Sequence, residues 1–310
     1  MKRREFLMGA TAFGLSGCAV PPLRTEGGAR RDENLSAFLS DLHVRDSHCH
    51  QYRRLAVIVD EILAMDPLPA HVIVFGDVAY ACGLKPEYEA SYGLLRKFID
   101  AGMEVTIGMG NHDRRSTFLS VWPEYRARTL LPGRIVTTTD LGPVDLLMLD
   151  GLQGTDGRAD DDMGPVDGRL DQAQQDWLYG CLAQLRKPTL LASHYPLEEM
   201  RGTGRPLAER FRDYPLLAGY VYGHLHRWNP YWLMHGWGLN EIRRSLCLPS
   251  TGHWGDIGYV LFRAEADKGV ARFVQKDFFF YYPEKEGERR PQEWDDVFRE
   301  CGSKVCTFRW

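Results

Sequence analysis

A chain of 310 residues with 44% hydrophobic content can bury a sizeable core, as one large domain or two small ones. Its 38 basic and 42 acidic side chains leave a formal charge of −4, and the basic residues are scattered rather than gathered into a track. That distribution excludes a groove built for a phosphate backbone, so polymeric nucleic acid is not expected as a partner.

The amino terminus reads Lys2-Arg3-Arg4-Glu5-Phe6-Leu7, followed by a mild apolar stretch to Leu15 and then Leu15-Ser16-Gly17-Cys18. The stretch is too short to span a hydrocarbon core of ~30 Å as a permanent helix. Arginine pair, short apolar run and final cysteine together resemble a twin-arginine (Tat) export signal ending in a lipobox. The resemblance implies removal of residues 1–17, lipidation of Cys18, and anchoring in the cell envelope on the periplasmic side of a membrane. It also implies export by the Tat machinery of a protein already folded. Residues 18–33, with Pro21, Pro22, Gly27 and Gly28, read as a flexible tether. In an exported protein Cys301 and Cys306 are the expected disulfide, whereas Cys49, Cys82, Cys181 and Cys247 lack metal spacing and read as buried thiols.

From Leu35 onward strand-like runs alternate with helical periodicity. Strands are expected at Leu35 to Ser40, His71 to Phe75, Glu104 to Met109, Arg134 to Thr138, Val144 to Leu149, Thr189 to Ser193 and Ala218 to Tyr222. Helices are expected over Gln51 to Met65, Lys85 to Asp100, Ser116 to Tyr125, Asp171 to Leu185 and Leu207 to Phe211. This alternation gives βαβ units in an α/β fold. Beyond Trp232 the pattern turns to strands alone, at Arg243 to Leu248, Ile257 to Ala264 and Gly269 to Phe280, expected to extend the second sheet as antiparallel neighbours. The main domain is drawn over 34–283, with 284–310 as a charged C-terminal appendage on its surface.

Polar motifs follow these strands: Asp41-Leu42-His43, Gly76-Asp77, Gly110-Asn111-His112-Asp113, His194 and Gly223-His224-Leu225-His226. Side chains just beyond the carboxyl ends of neighbouring strands converge on one edge of a sheet, where α/β folds place their sites. In this order the motifs resemble the calcineurin-like metallophosphoesterase superfamily over roughly residues 35 to 265. The resemblance implies a four-layer αββα sandwich with two facing mixed sheets. It further implies one metal held by Asp41, His43, Asp77 and His226, and a second by Asp77, Asn111, His194 and His224, with Asp77 bridging. His112 would be the general acid, oriented by Asp113.

The chemistry of these side chains agrees with that assignment. Two divalent ions ~3.5–4 Å apart can share a bridging hydroxide and clamp a phosphoryl group. A carboxylate fixes their separation, and a neutral Asn oxygen keeps the site from becoming too negative for a phosphate ester. Carboxylate, amide and imidazole donors without thiolate suit Mn, Fe or Zn rather than Mg or Ca.

The remaining candidates each carry an alternative. His48 and His50 read as solvated loop residues or as lining of a substrate mouth; His253, in a Gly-flanked loop, can fold over the cleft; His71 and His235 read as structural. Trp228, Tyr231, Trp232 and Trp237 form core or an apolar wall beside the metals. Arg114 and Arg115 read as solvent-facing, with phosphate contact as the alternative. Gly76-Asp77-Val78-Ala79-Tyr80 also resembles the segment of purple acid phosphatases whose tyrosine binds ferric iron, but His43 fills a position that family leaves without histidine. Leu170, Gln174, Trp177 and Leu178 resemble class III cyclic-nucleotide phosphodiesterases, which favours phosphodiesters. The expectation is a binuclear phosphoesterase acting on a small ester. An acid-phosphatase-type phosphomonoesterase and a non-catalytic metal-binding envelope lipoprotein are the alternatives.

Overall fold

The computed structural model describes residues 30–153, 167–230, 244–279 and 304–310. Residues 1–29, with the expected export signal, Cys18 and most of the expected tether, and Tyr231, Trp232, His235, Trp237 and Cys301 lie outside them. Among the described residues no helix is long and apolar enough to cross a membrane.

In chain order the elements are β1 (Arg31–Leu39), α1 (His50–Leu63), β2 (Leu68–Val74), α2 (Lys85–Asp100), β3 (Glu104–Ile107), α3 (Arg115–Val121), α4 (Tyr125–Arg128), β4 (Thr137–Asp140), β5 (Asp145–Met148), α5 (Gln172–Leu182), β6 (Thr189–Ala192), α6 (Gly204–Arg210), β7 (Leu217–Tyr222), β8 (Arg244–Cys247), β9 (Gly255–Ala264), β10 (Lys268–Phe279) and β11 (Val305–Arg309). One sheet runs β11-β10-β9-β1-β2-β3 and the other β4-β5-β6-β7-β8. Strands β1, β2 and β3 are mutually parallel, as are β5, β6, β7 and β8. Their carboxyl ends carry the polar motifs.

Period-two alternation builds the layers. Ile73 and Phe75 from the first sheet face Leu146 and Met148 from the second, while Val72 and Val74 turn outward onto α1 and α2, and Leu147 turns outward onto α5. The result is the four-layer αββα sandwich expected. Helix α1 presents Leu55, Ile58, Val59 and Ile62 to its sheet, and the Cys49 thiol caps it by accepting from Tyr52 N at 3.4 Å. Asp171 caps α5, accepting from Gln174 N at 2.8 Å.

Three expectations require correction. Only β8 joins the second sheet, and it does so in parallel with β7; β9 and β10 run antiparallel in the first sheet, with β9 closing the open edge of β1. The end of the chain is not surface dressing, because β11 pairs with β10 and buries Cys306 and Phe308 between the sheets. The helix expected over 116–125 is two short helices. Pro123 disfavours helical backbone at the preceding residue, and Trp122 accordingly leaves the helix at φ −116°, ψ 65°.

Candidate metal centre

Each motif leaves its strand through a turn that aims a side chain back across the sheet edge. Asp41, His43, Asp77, His224 and His226 all have positive φ, between 46° and 67°, and they are the only non-glycine residues with positive φ among those described. Such backbone costs roughly 1–3 kcal/mol per residue and persists only where its surroundings enforce it. Enforcement comes from the neighbouring loop: Asp41 N donates to Gly76 O at 3.2 Å and His43 N to Asp77 O at 2.9 Å. In the second sheet Gly223 N donates to His194 O at 3.0 Å. The two sheets are joined by His224 N, which donates to the Asp41 carboxylate at 3.1 Å. Glycine is needed at 110, because a Cβ there would overlap the Asp77 carboxylate.

The side chains meet in two groups that share Asp77. One holds Asp41, His43, Asp77 and His226, the other Asp77, His194 and His224, with donor atoms in each group within 4.8 Å of one another. Asn111 joins the second group through Oδ1, 3.1 Å from His194 Nε2. Asp77 Oδ2 stands between them, 3.4 Å from His43 Nε2 and 3.2 Å from His194 Nε2, while its Oδ1 accepts from His112 N at 2.9 Å.

These residues fit cations. His43 Nδ1 lies 3.0 Å from Tyr80 O and His194 Nδ1 2.9 Å from Phe75 O, so both rings donate there and turn Nε2 inward, where a cation can take the place of a proton. Those nitrogens face further imidazole nitrogens, His226 Nε2 at 3.2 Å and His224 Nδ1 at 3.1 Å, an arrangement that a positive ion between them stabilises. The electrostatics agree. Burial opposes ionisation of Asp77, yet His194 and His112 hold its carboxyl well below the usual range. Burial likewise opposes a charged His194, but Asp77 and Asp41 push its pKa up to about 9. The pocket is short of positive charge.

His112 lies beside both groups without belonging to either, edge-on to His43 with centroids 4.6 Å apart and its Nε2 3.9 Å from Asp77 Oδ2. Burial lowers its pKa, against the pull of Asp77. The expectation that Asp113 orients it is not met. The Asp113 carboxylate turns the other way, accepting from Gly110 N, Ala79 N and Tyr88 Oη at 2.9–3.1 Å, and His112 Nδ1 is buried with no hydrogen-bond partner. Asp113 therefore braces the loops that carry Asn111 and Asp77; burial and the Asp77 charge push its pKa up to about 7.

Arg114 and Arg115 are buried rather than solvent-facing. Arg115 clamps Asp150 at the end of β5 through two bonds of 2.6 and 2.8 Å, and Arg114 Nε donates to Cys82 O at 2.5 Å. Tyr80 serves the centre through its backbone carbonyl. Trp228 is core, stacked on Phe273; among the described residues the aromatics beside the centre are Trp254, 4.2 Å from the His226 ring, and Tyr195, 5.2 Å from the His194 ring. His48 is exposed, whereas His50 is half-buried and bonds to the backbone of His253. Gln174 and Leu178 hold α5 on the second sheet, with Gln174 Nε2 donating to Asp150 O at 2.8 Å. Glu199, which no motif marked, lies 2.9 Å from His224 Nε2 but off the hydrogen-bond direction.

Comparison with known proteins gives the centre its context. A search of curated protein sequences returned no match. The fold is similar to that of a dimetal phosphatase from Danio rerio, with TM-score 0.60 and 12% identity, covering 81% of this chain and 96% of that one. It is also similar to the structure of PhoD, with TM-score 0.55 and 13% identity, covering 82% and 68%. The calcineurin-like phosphoesterase profile matches residues 36–228, more than half of the chain and every residue of both donor groups. On that match the chain belongs to the calcineurin-like phosphoesterase family.

Proposed function

We propose that this protein is a binuclear metal-dependent phosphoric ester hydrolase that prefers phosphodiesters. The observation that carries the reading is Asp77 Oδ2 standing between two histidine groups, each with imidazole nitrogens turned toward it. Two divalent cations bound there, Mn, Fe or Zn by the donor set, would supply Lewis acidity and an acidified water. The chain supplies the rest. Asp77 and Asp41 set the charge of the centre, and His112, close but outside the donor groups, gives a proton from Nε2 to the departing ester oxygen.

The preference for diesters is supported by where the arginines go. Arg115 is bound to Asp150 through two bonds and Arg114 Nε donates to Cys82 O, so these bonds of the motif loop are used within the fold and not on the second negative charge that a monoester carries. Turnover of bis-p-nitrophenyl phosphate against p-nitrophenyl phosphate by Mn-loaded protein tests this. A higher kcat/KM for the diester is expected; a clear preference for the monoester would move the assignment to a phosphomonoesterase. The Arg3-Arg4 pair and Leu15-Ser16-Gly17-Cys18 support, as part of the same proposal, Tat export and a lipid anchor at Cys18 in the cell envelope.

A further inference from the structure

His253 stands outside both donor groups, yet its ring stacks on His43 with centroids 4.2 Å apart and 29° between planes, and meets His226 at 5.5 Å. It rides on the turn from β8 to β9, which is fastened to the metal loops. Ser250 Oγ donates to Asp41 O at 2.9 Å, Thr251 N and Oγ1 both reach Ser40 O at 2.9 and 3.0 Å, and Asp256 N donates to His226 O at 2.9 Å. His253 N is itself held by Ser250 Oγ at 2.9 Å. The ring is thus fixed relative to Asp41 and His226 as firmly as the donors are, which is what a group acting on a bound molecule requires.

Its chemistry follows from Gln51. That side chain is buried on α1 and places Nε2 3.0 Å from His253 Nδ1. With its amide nitrogen toward the ring, Gln51 donates, so Nδ1 accepts and the ring proton sits on Nε2. A nitrogen carrying a proton is no metal ligand; it is a hydrogen-bond donor beside the metals. A mere spacer against His43 could be any flat apolar ring and would need no buried amide to set its tautomer.

We infer that His253 is a substrate-binding residue whose Nε2–H donates to a non-bridging oxygen of the phosphoryl group held at the metal centre, with Gln51 setting the tautomer that makes it a donor. The inference rests on the phosphohydrolase reading, so its test measures binding of inorganic phosphate rather than turnover. Calorimetric titration of phosphate into Mn-loaded wild-type, His253→Phe and His253→Gln proteins is paired with elemental analysis of each. Phe keeps a flat ring against His43 and removes the donor; Gln restores an N–H at similar reach. Loss of a hydrogen bond to a charged oxygen is expected to raise the phosphate Kd by ~10–100-fold in His253→Phe, with most of it recovered in His253→Gln and two metal ions per chain in both. Unchanged phosphate affinity in His253→Phe would overturn the inference and mark His253 as a spacer against His43; loss of metal from both variants would overturn it as well, by assigning the imidazole to holding the metal loops. Wild-type protein that binds phosphate yet cleaves neither ester would overturn the hydrolase reading alone.

Discussion

Asp77 touches both donor groups through one oxygen and is steadied through the other by His112 N, so its removal acts twice. Asp77→Ala is expected to lose both ions and all measurable turnover, whereas His43→Ala or His194→Ala should lose one; elemental analysis alongside activity checks the order. His112→Ala should keep both ions and cut turnover by ~10²–10⁴, the usual range for a lost general acid. The deficit should shrink for p-nitrophenol as leaving group, which needs little protonation, and a uniform loss across leaving groups would show His112 to be positioning the ester instead. At this scale the donors were legible in the sequence because each motif is local: a strand end plus two to four residues fixes where a side chain emerges. The direction a neighbour then takes is not local. Asp113 and Arg115 lie within four residues of Asn111, yet Tyr88, Ala79 and Asp150, all distant in sequence, decide where they point.

Among elements, the Arg115–Asp150 clamp joins α3 of one half to β5 of the other, and Gln174 on α5 locks the same aspartate by its backbone. Both partners are buried, so Asp150→Asn, which removes one charge, is expected to destabilise the fold by about 3–5 kcal/mol. A paired change to apolar residues, Arg115→Met with Asp150→Leu, should recover only part of that loss, because Ile135 N and Leu152 N, which donate to the Asp150 carboxylate at 2.7 and 3.1 Å, lose their acceptor; thermal unfolding monitored by circular dichroism would show it. Strand and helix positions up to β7, apart from the break at Trp122, were legible because period-two and helical patterns repeat within each segment. Partner choice for β8 to β11 was not, since alternation states which residues of a strand are buried and not which edge it joins. The open edge of β1, with Phe38 waiting to be covered by Val260 and Phe262, drew β9 across the sandwich.

For the whole molecule, the two sheets contribute separate halves of a centre that bare imidazoles and carboxylates hold together poorly by themselves. Stripping metal with a chelator should therefore lower Tm as well as abolish turnover, and re-addition of Mn should restore both. On the export reading, Arg3-Arg4→Lys-Lys should leave folded precursor in the cytoplasm, while Cys18→Ser should permit export but release the protein from the membrane fraction on carbonate washing; cytosolic wild-type protein with Met1 intact would count against that reading. The pairing of β1 with β9 bears on how such a chain is made. Leu35 is paired with Arg263, and β10 and β11 lie further on still. At roughly 5–20 residues per second, a ribosome needs on the order of 10–50 s between making the first of these strands and the one that covers it. For that interval an apolar strand edge is open to any other nascent chain, the exposure that drives edge-to-edge aggregation. The metal centre shares the delay, because the turn that braces Asp41 and His226 is synthesised only just before β9. Assembly of the site consequently waits until β9 has been made, and a chaperone that shields the β1 edge would raise the yield of metal-loaded protein.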